Sequence, residues 1–392
     1  MTTELPRAKH MQDIHPFRVM ALLAEARAME TAGRSVIHME VGEPDFDTPE
    51  PVVKAGIQAI KDGRTRYTPA VGDLITRQSI SAFYRQQFNV QIDPARIIIT
   101  PGASGALQLI LSVLLDPGDD VLMSDPGYPC NRNFVRLLNA NTIGVAVDEA
   151  SGFQLNRELI GAAWTEKSKV LLLASPSNPT GTVIQKPDMQ SILEFAAEKN
   201  TAVVIDEIYQ GITYDVKNYT ALELSKNIFV INSFSKYFGM TGWRVGWVVA
   251  PESYVKDIDT LAQNLFLAAS TPSQIAAQAA FLPETSLLLQ QRVEILRQRR
   301  DFLISALREL GFGIPQVPQG AFYIYADCSK LTNDSFQFCH ELLQATGVAI
   351  TPGLDFGDNK PEKFIRFAYT TDLSGLKEAV VRISEFLKTE HS

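Results

Sequence analysis

The sequence has 392 residues, of which 45% are hydrophobic and 20% charged. That balance excludes an intrinsically disordered chain, a collagen-like repeat and a disulfide scaffold. Lys and Arg number 36 against 44 Asp and Glu, a formal net charge of −8 with no basic block, so no nucleic-acid partner is expected.

The first 20 residues carry Glu4, Lys9, His10 and Asp13 and lack the apolar run of a signal peptide. A polar start, and cysteines that are few and odd in number (Cys130, Cys328, Cys339), lead to the expectation of a cytoplasmic protein. The five histidines are scattered without zinc-ligand spacing, so no metal is expected. From about residue 50 to 250, strand and helix patterns alternate. Ile97–Thr100 is a short β-branched strand, and a helix opens at Gly102 and runs through Leu115. Val121–Ser124, Val170–Ala174, Val203–Ile205 and Phe229–Ile231 are further buried strands, with Val245–Val249 weakened by Gly246. A helix is expected over Met189–Lys199. Continuous apolar strands alternating with helices predict a largely parallel α/β sheet covered on both faces. Leu107–Leu115 and Val170–Ala174, the longest apolar stretches, are too short to span a bilayer, so no membrane association is expected. The C-terminal part is different. A long amphipathic helix covers Leu287–Leu310 and stops at Gly311. Phe322–Tyr325, Val348–Thr351 and Phe364–Ala368 are strands of a second, smaller sheet, and Leu376–Lys388 is a closing helix.

Four stretches at strand ends carry chemistry, and open α/β sheets bind their ligands at strand ends. Pro101-Gly102-Ala103-Ser104-Gly105 lets backbone N–H groups approach an anion at a helix start, although a plain strand–helix turn reads the same way. Ser175-Pro176-Ser177-Asn178-Pro179-Thr180-Gly181 sets one asparagine amide between two prolines, or is simply a turn. Asp206-Glu207, followed by Tyr209, puts two acids directly behind a buried strand. That is costly unless they are paired or functional, and a helix cap is the alternative. Asn232-Ser233-Phe234-Ser235-Lys236 continues to Arg244 and offers an amine beside a phosphate-binding cation. Ser233-x-x-Lys236 also matches the serine–lysine pattern of penicillin-binding enzymes, but the Ser-Asp-Asn and Lys-Thr-Gly elements of that pattern are absent.

Taken in order, these stretches resemble the class I/II aminotransferases, the fold-type-I family dependent on pyridoxal 5′-phosphate (PLP). The resemblance runs from Val41-Gly42-Glu43-Pro44-Asp45-Phe46 to Phe364-Ile365-Arg366-Phe367. It implies a PLP-dependent transaminase that moves an α-amino group from an amino acid to a 2-oxo acid in ping-pong half-reactions. Lys236 would hold PLP as an internal aldimine and shuttle the proton. Asp206 would keep the pyridine nitrogen protonated, Asn178 and Tyr209 would bond the ring oxygen O3′, and Tyr128 would stack on the ring. Ser233, Arg244, Ser104 and the N–H of Ala103 would hold the phosphate, and Tyr67 would reach the phosphate of the neighbouring subunit, which requires a homodimer. Arg366 and the N–H of Gly42 would bind the substrate carboxylate, with Asn178 beside them. The implied fold is a large domain over 45–285 with a mainly parallel seven-stranded sheet. The small α+β domain would combine 286–392 with part of an N-terminal arm over 1–44.

The same residues serve a PLP lyase that eliminates across Cα–Cβ of cysteine-type substrates. A PLP-binding regulator would also need a DNA-binding module, and no helix-turn-helix is visible before residue 45. By the same resemblance, dicarboxylate-specific members place a lysine in the phosphate loop, where this chain has Ser104, or supply an arginine from the partner around the segment that here reads Gln263-Asn264-Leu265-Phe266-Leu267. Neither carries such a cation. Arg18 stands where family members approach the substrate side chain and would restore an acidic preference, or it is a surface ion pair. Phe17, Tyr67, Leu265, Phe266 and Tyr323 are expected as apolar pocket walls, which favours neutral donors: alanine-like, aliphatic or aromatic.

Overall fold

The computed structural model describes residues 5, 7–14, 16 and 18–390, the side chain of Glu390 excepted. Phe17 therefore lies outside the described residues. Among the described residues, twelve strands form three sheets. They are β1 Ile37–His38, β2 Ile97–Thr100, β3 Asp120–Asp125, β4 Asn141–Ala146, β5 Ser168–Ala174, β6 Ala202–Asp206, β7 Phe229–Ser233, β8 Gly246–Val249, β9 Tyr323–Asp327, β10 Val348–Ala349, β11 Thr351–Pro352 and β12 Phe364–Ala368. The main sheet has seven strands in the order β2-β8-β7-β6-β5-β3-β4. Only β8 runs against its neighbours; the other pairings are parallel. This is the α/β architecture expected, with the strand count that the resemblance implied.

Alternate residues of each central strand bury on opposite faces. Ile97 and Ile99 join one apolar cluster and Ile98 another; Val203 and Ile205 divide from Val204 in the same way. Both faces are covered, which is why these strands read as unbroken apolar runs. Strand β4 is the exception and has no counterpart in the sequence reading. It sits at the sheet edge and only Val145 is fully buried, so it shows neither a continuous run nor a clean alternation. The long helix spans Pro283–Glu309, four residues earlier at its start than expected, with a proline in its first turn.

The C-terminal strands differ from expectation in one respect. Val348–Thr351 is not one strand. β10 pairs in parallel with β1, whereas β11 pairs with β12 and β12 with β9 in a three-stranded antiparallel sheet. The two short strands flank Ile350 and belong to different sheets.

The N-terminal segment is built into this C-terminal unit. The helix Arg18–Thr31 begins on a carboxylate far along the chain, where Val19 N–H donates to Asp355 Oδ2 at 2.7 Å. Met39 N–H donates to Ala349 O, and Ala368 N–H donates to Met39 O. Arg299 then clamps Asp45 through two bonds of 2.8 and 2.9 Å. Among the described residues no helix is long and apolar enough to cross a membrane.

Candidate active site

β2, β5, β6 and β7 end at one edge of the main sheet, and the antiparallel β8 begins there. The four sequence motifs follow those ends. Segment 40–43, Tyr323 on β9 and Arg366 on β12 face them across a cavity of about 300 Å³.

One corner of the cavity suits an anion. The helix Gly102–Leu114 starts at Pro101, which provides no side-chain cap, so its first N–H groups remain available. Gly102 has φ +71°, and a Cβ there would lie 2.5 Å from Arg244 Nη2. Gly246 is equally constrained, because its Cβ would meet Gly102 C at 2.9 Å and Ala103 N at 3.0 Å. The glycine that weakened β8 as a strand thus lets the helix start dock against it. Arg244 itself adopts φ 51° and donates from Nη1 to Thr241 O. Ala103, Ser104 and Arg244 all line the cavity.

Deeper in, Asp206 is 8% exposed. One of its oxygens accepts from Ile208 N–H at 3.0 Å. Burial pushes its pKa up to about 6, against the pull of that N–H and of Lys236. Lys236 is pushed down to about 8, because desolvation outweighs the attraction of Glu43; its Nζ donates to Gly42 O at 2.6 Å. An amine with so low a pKa is partly neutral near physiological pH and so available as nucleophile or base.

Arg366 is 3% exposed. Nη1 donates to Asn178 Oδ1 at 3.0 Å, and Nη2 donates to Glu40 O and to Thr351 Oγ1. Its guanidinium lies 4.3 Å from the Tyr323 ring centre and 4.8 Å from that of Phe356. Its Nε is buried and without a partner, and among the described residues no carboxylate forms an ion pair with it. A buried cation lacking its counter-ion beside a cavity is a carboxylate-binding group. Because arginine offers only donors, Asn178 must turn its oxygen toward it, which leaves the Asn178 NH₂ for a different acceptor. Tyr209 and Tyr323 complete the wall, their hydroxyls 2.9 Å apart.

Most predicted residues therefore converge. Gly42, Tyr128, Asn178, Asp206, Tyr209 and Lys236 line the cavity with Arg366 and the anion corner. Two do not. Ser233 is wholly buried, with its hydroxyl donating to Ser235 Oγ and Val245 O, and Ser235 lines the cavity instead. β7 carries the chain inward through Ser233, and only after it ends does a serine reach the cavity. Tyr67, expected at the phosphate of the neighbouring subunit, is 82% exposed and outside the cavity of its own protomer. Of the expected apolar walls among the described residues, only Tyr323 lines this protomer's cavity. Leu265 and Phe266 close the helix Val255–Leu265 away from the cavity, and Val19, Met20 and Leu107 provide the apolar lining. Arg18 is exposed, 5.9 Å from the Phe336 ring centre, and does not line the cavity. Sequence reasoning missed Ser235, the hydroxyl of Tyr323, and the seat that Glu40 O and Thr351 make for Arg366. Only Ser235 had a signal, as the second serine before Lys236.

A profile described as Aminotransferase class I and II matches residues 34–383. The chain is 38% identical to the (5-formylfuran-3-yl)methyl phosphate transaminase of Methanocaldococcus jannaschii, over 97% of this chain and 99% of that one. It is 34% identical to the valine–pyruvate aminotransferase of Mycobacterium tuberculosis, over 96% and 97%. Among solved structures, an aminotransferase from Mycobacterium tuberculosis superposes with a TM-score of 0.95 at 33% identity, covering 98% of this chain and all of that one.

Proposed function

The chain belongs to the class I and II aminotransferases, and we propose that it transfers the α-amino group of a neutral amino acid to a 2-oxo acid with PLP held at Lys236. The observation that carries this reading is Arg366, a buried guanidinium with a free Nε and no carboxylate partner, in the same cavity as an amine of lowered pKa.

The residues fit PLP. The uncapped helix start with Arg244 suits its phosphate, and the Asp206 carboxylate, which forms no ion pair among the described residues, suits a protonated ring nitrogen. The Asn178 NH₂ and the Tyr209 hydroxyl suit a ring oxygen, and Lys236 suits the aldehyde. When bound, PLP supplies that aldehyde for the substrate amine and an electron-poor ring that draws charge from Cα. Arg366 orients the substrate by its α-carboxylate, and the Gly42 N–H adds a second contact. Lys236 Nζ would take the proton from substrate Cα and hold it for return to the bound group. Asp206 holds the ring-nitrogen proton throughout. Water would be taken up as the first 2-oxo acid is released with its amino group left behind, and given back when a second 2-oxo acid accepts that group.

A neutral donor is supported by the charges lining the cavity. Its cations are Lys236, Arg244 and Arg366, each already assigned, and its apolar lining is Val19, Met20 and Leu107. Among the described residues no further cation lines the cavity for a distal carboxylate. A panel in which aspartate exceeds every neutral donor by about tenfold, roughly 1.4 kcal/mol of discrimination, would overturn this preference.

The test of the activity is spectroscopic. The PLP-loaded protein, given single amino acids and no acceptor, is expected to lose its visible band in favour of the pyridoxamine form and release the matching 2-oxo acid. Release of pyruvate with the band unchanged would point to elimination instead. In the same assay Arg366→Lys is expected to lower kcat/KM about 100-fold, mostly through KM, because a point charge replaces a planar fork. An unchanged KM would remove Arg366 from substrate binding.

A homodimer, with Tyr67 reaching the neighbouring site, is supported by the exposed apolar side chains Tyr67, Leu74, Ile75, Leu265 and Leu267; a monomeric mass in solution would contradict it. The division into arm, large domain and small domain at 44 and 285, and a cytoplasmic location, belong to the same reading. Limited proteolysis and fractionation test them.

A further inference from the structure

Tyr323 is the first residue of β9, 1% exposed, and its ring covers Arg366. β9 pairs with β12, Tyr323 opposite Ala368 and Tyr325 opposite Arg366, so the ring is fixed from the backbone. Its hydroxyl is fixed as well. A Cβ at residue 42 would come 1.9 Å from Tyr323 Oη, so only glycine at 42 leaves the hydroxyl its place. That hydroxyl lies 2.9 Å from Tyr209 Oη, with the two rings at 81°. Burial raises the pKa of both tyrosines above the usual phenol value, so both keep their protons.

Two protonated hydroxyls can share one hydrogen bond in two ways. If Tyr209 donates, its proton is used within the pair and it has none to offer the cavity. If Tyr323 donates, Tyr209 becomes an acceptor toward Tyr323 and a stronger donor toward the cavity, since chained hydrogen bonds polarise one another. The geometry points to Tyr323 as a positioning residue that donates to Tyr209 Oη and so commits the Tyr209 proton to the cofactor's ring oxygen O3′. This rests on the functional reading above and goes beyond it, because that reading gives Tyr323 no role at O3′. It acts through Tyr209, and its ring separately supports Arg366.

The consequence is a titration. A donor at O3′ favours negative charge on that oxygen and so eases loss of the proton from the lysine–cofactor linkage. Weakening the donor holds that proton more firmly, and the pH midpoint of the visible band moves up. Tyr323→Phe removes one hydroxyl and keeps the ring over Arg366. In the PLP-loaded protein without substrate, its midpoint is expected to rise by about 0.5–1 pH unit, the size of one buried hydrogen bond. Tyr209→Phe is expected to raise it further. The double variant should match Tyr209→Phe alone, because Tyr323 has no other route to O3′. KM for the amino donor should stay within about twofold. A midpoint unchanged in Tyr323→Phe, a fully additive double variant, or a raised KM at constant midpoint would each overturn the inference, the last by reducing Tyr323 to a prop for Arg366. A wild-type protein with no PLP-dependent visible band would instead overturn the functional reading, and this inference with it.

Discussion

Lys236→Ala is expected to lower turnover of the PLP-supplemented protein by at least about 10⁴-fold, since it removes the covalent anchor and the proton-transfer group together. Nothing nearby can take over. Among the described residues the Lys236 amine is the only one lining the cavity, and its Nζ is seated 2.6 Å from Gly42 O. The other cations there are guanidiniums, which do not give up a proton in this pH range. The phosphate corner and Asp206 survive the substitution, so the cofactor should still bind, but without the visible band of the lysine linkage. The space left at residue 236 is large enough for a small primary amine. Added methylamine is expected to restore a measurable part of the rate, with a dependence on the amine's own pKa. Retention of more than a few per cent of wild-type turnover without added amine would remove Lys236 from the mechanism.

Asp206→Asn separates rate from stability. Asparagine keeps the volume and the oxygen that accepts from Ile208 N–H but has no charge to hold a proton on the ring nitrogen. Loss of one well-placed electrostatic group in a dry site costs about 10²–10³ in rate, and kcat is expected to fall by about 10³. The protein without PLP should respond the opposite way. Asp206 is ordinarily a carboxyl of pKa 3.8 and here is raised to about 6. The folded state therefore binds the proton more tightly than the unfolded chain between those values, and stability falls as pH rises through that window. Above it, the buried charge costs about 3 kcal/mol, two pKa units at 1.36 kcal/mol each. The asparagine variant avoids that cost. Without cofactor it is expected to unfold at a higher temperature than wild type at pH 7 and at a similar temperature at pH 4. A variant that is both slow and less stable at pH 7 would mean that the Asp206 charge is already neutralised before PLP arrives.

The sequence disclosed the site's chemistry better than its architecture. Asn178, Asp206 and Lys236 could be read because each directly follows a strand buried on both faces, and a polar residue there stands out against an apolar run. Arg366 was named from the family resemblance, and it lies inside a strand. Its seat was not legible, because one partner is the backbone carbonyl of Glu40, and a carbonyl leaves no mark on residue identity. Ser233 and Ser235 were separated by where β7 ends, a detail of one or two residues that composition does not resolve. The walls depend on more than one protomer. Leu265 and Phe266 face away from the cavity of their own protomer, and they belong to the segment that the resemblance assigns to a partner's site. Strand β4 was invisible because an edge strand with one face in water mixes the two patterns by which strands are recognised.

The fastening of Arg18–Thr31 to Asp355, and of β1 to β10, also bears on how the chain is made. Until about residue 355 has left the ribosome, the helix Arg18–Thr31 and β1 lack the partners that fasten them. Leu22, Ala26 and Met29, which later pack against Leu343 and Ala349, have nothing to cover them while the main sheet assembles. The wall that carries Gly42 and seats Arg366 is therefore the last part of the cavity to close. At about 5–20 residues per second, that leaves an apolar helix unpaired for tens of seconds, a span in which a chaperone has more to protect at the start of this chain than at its middle.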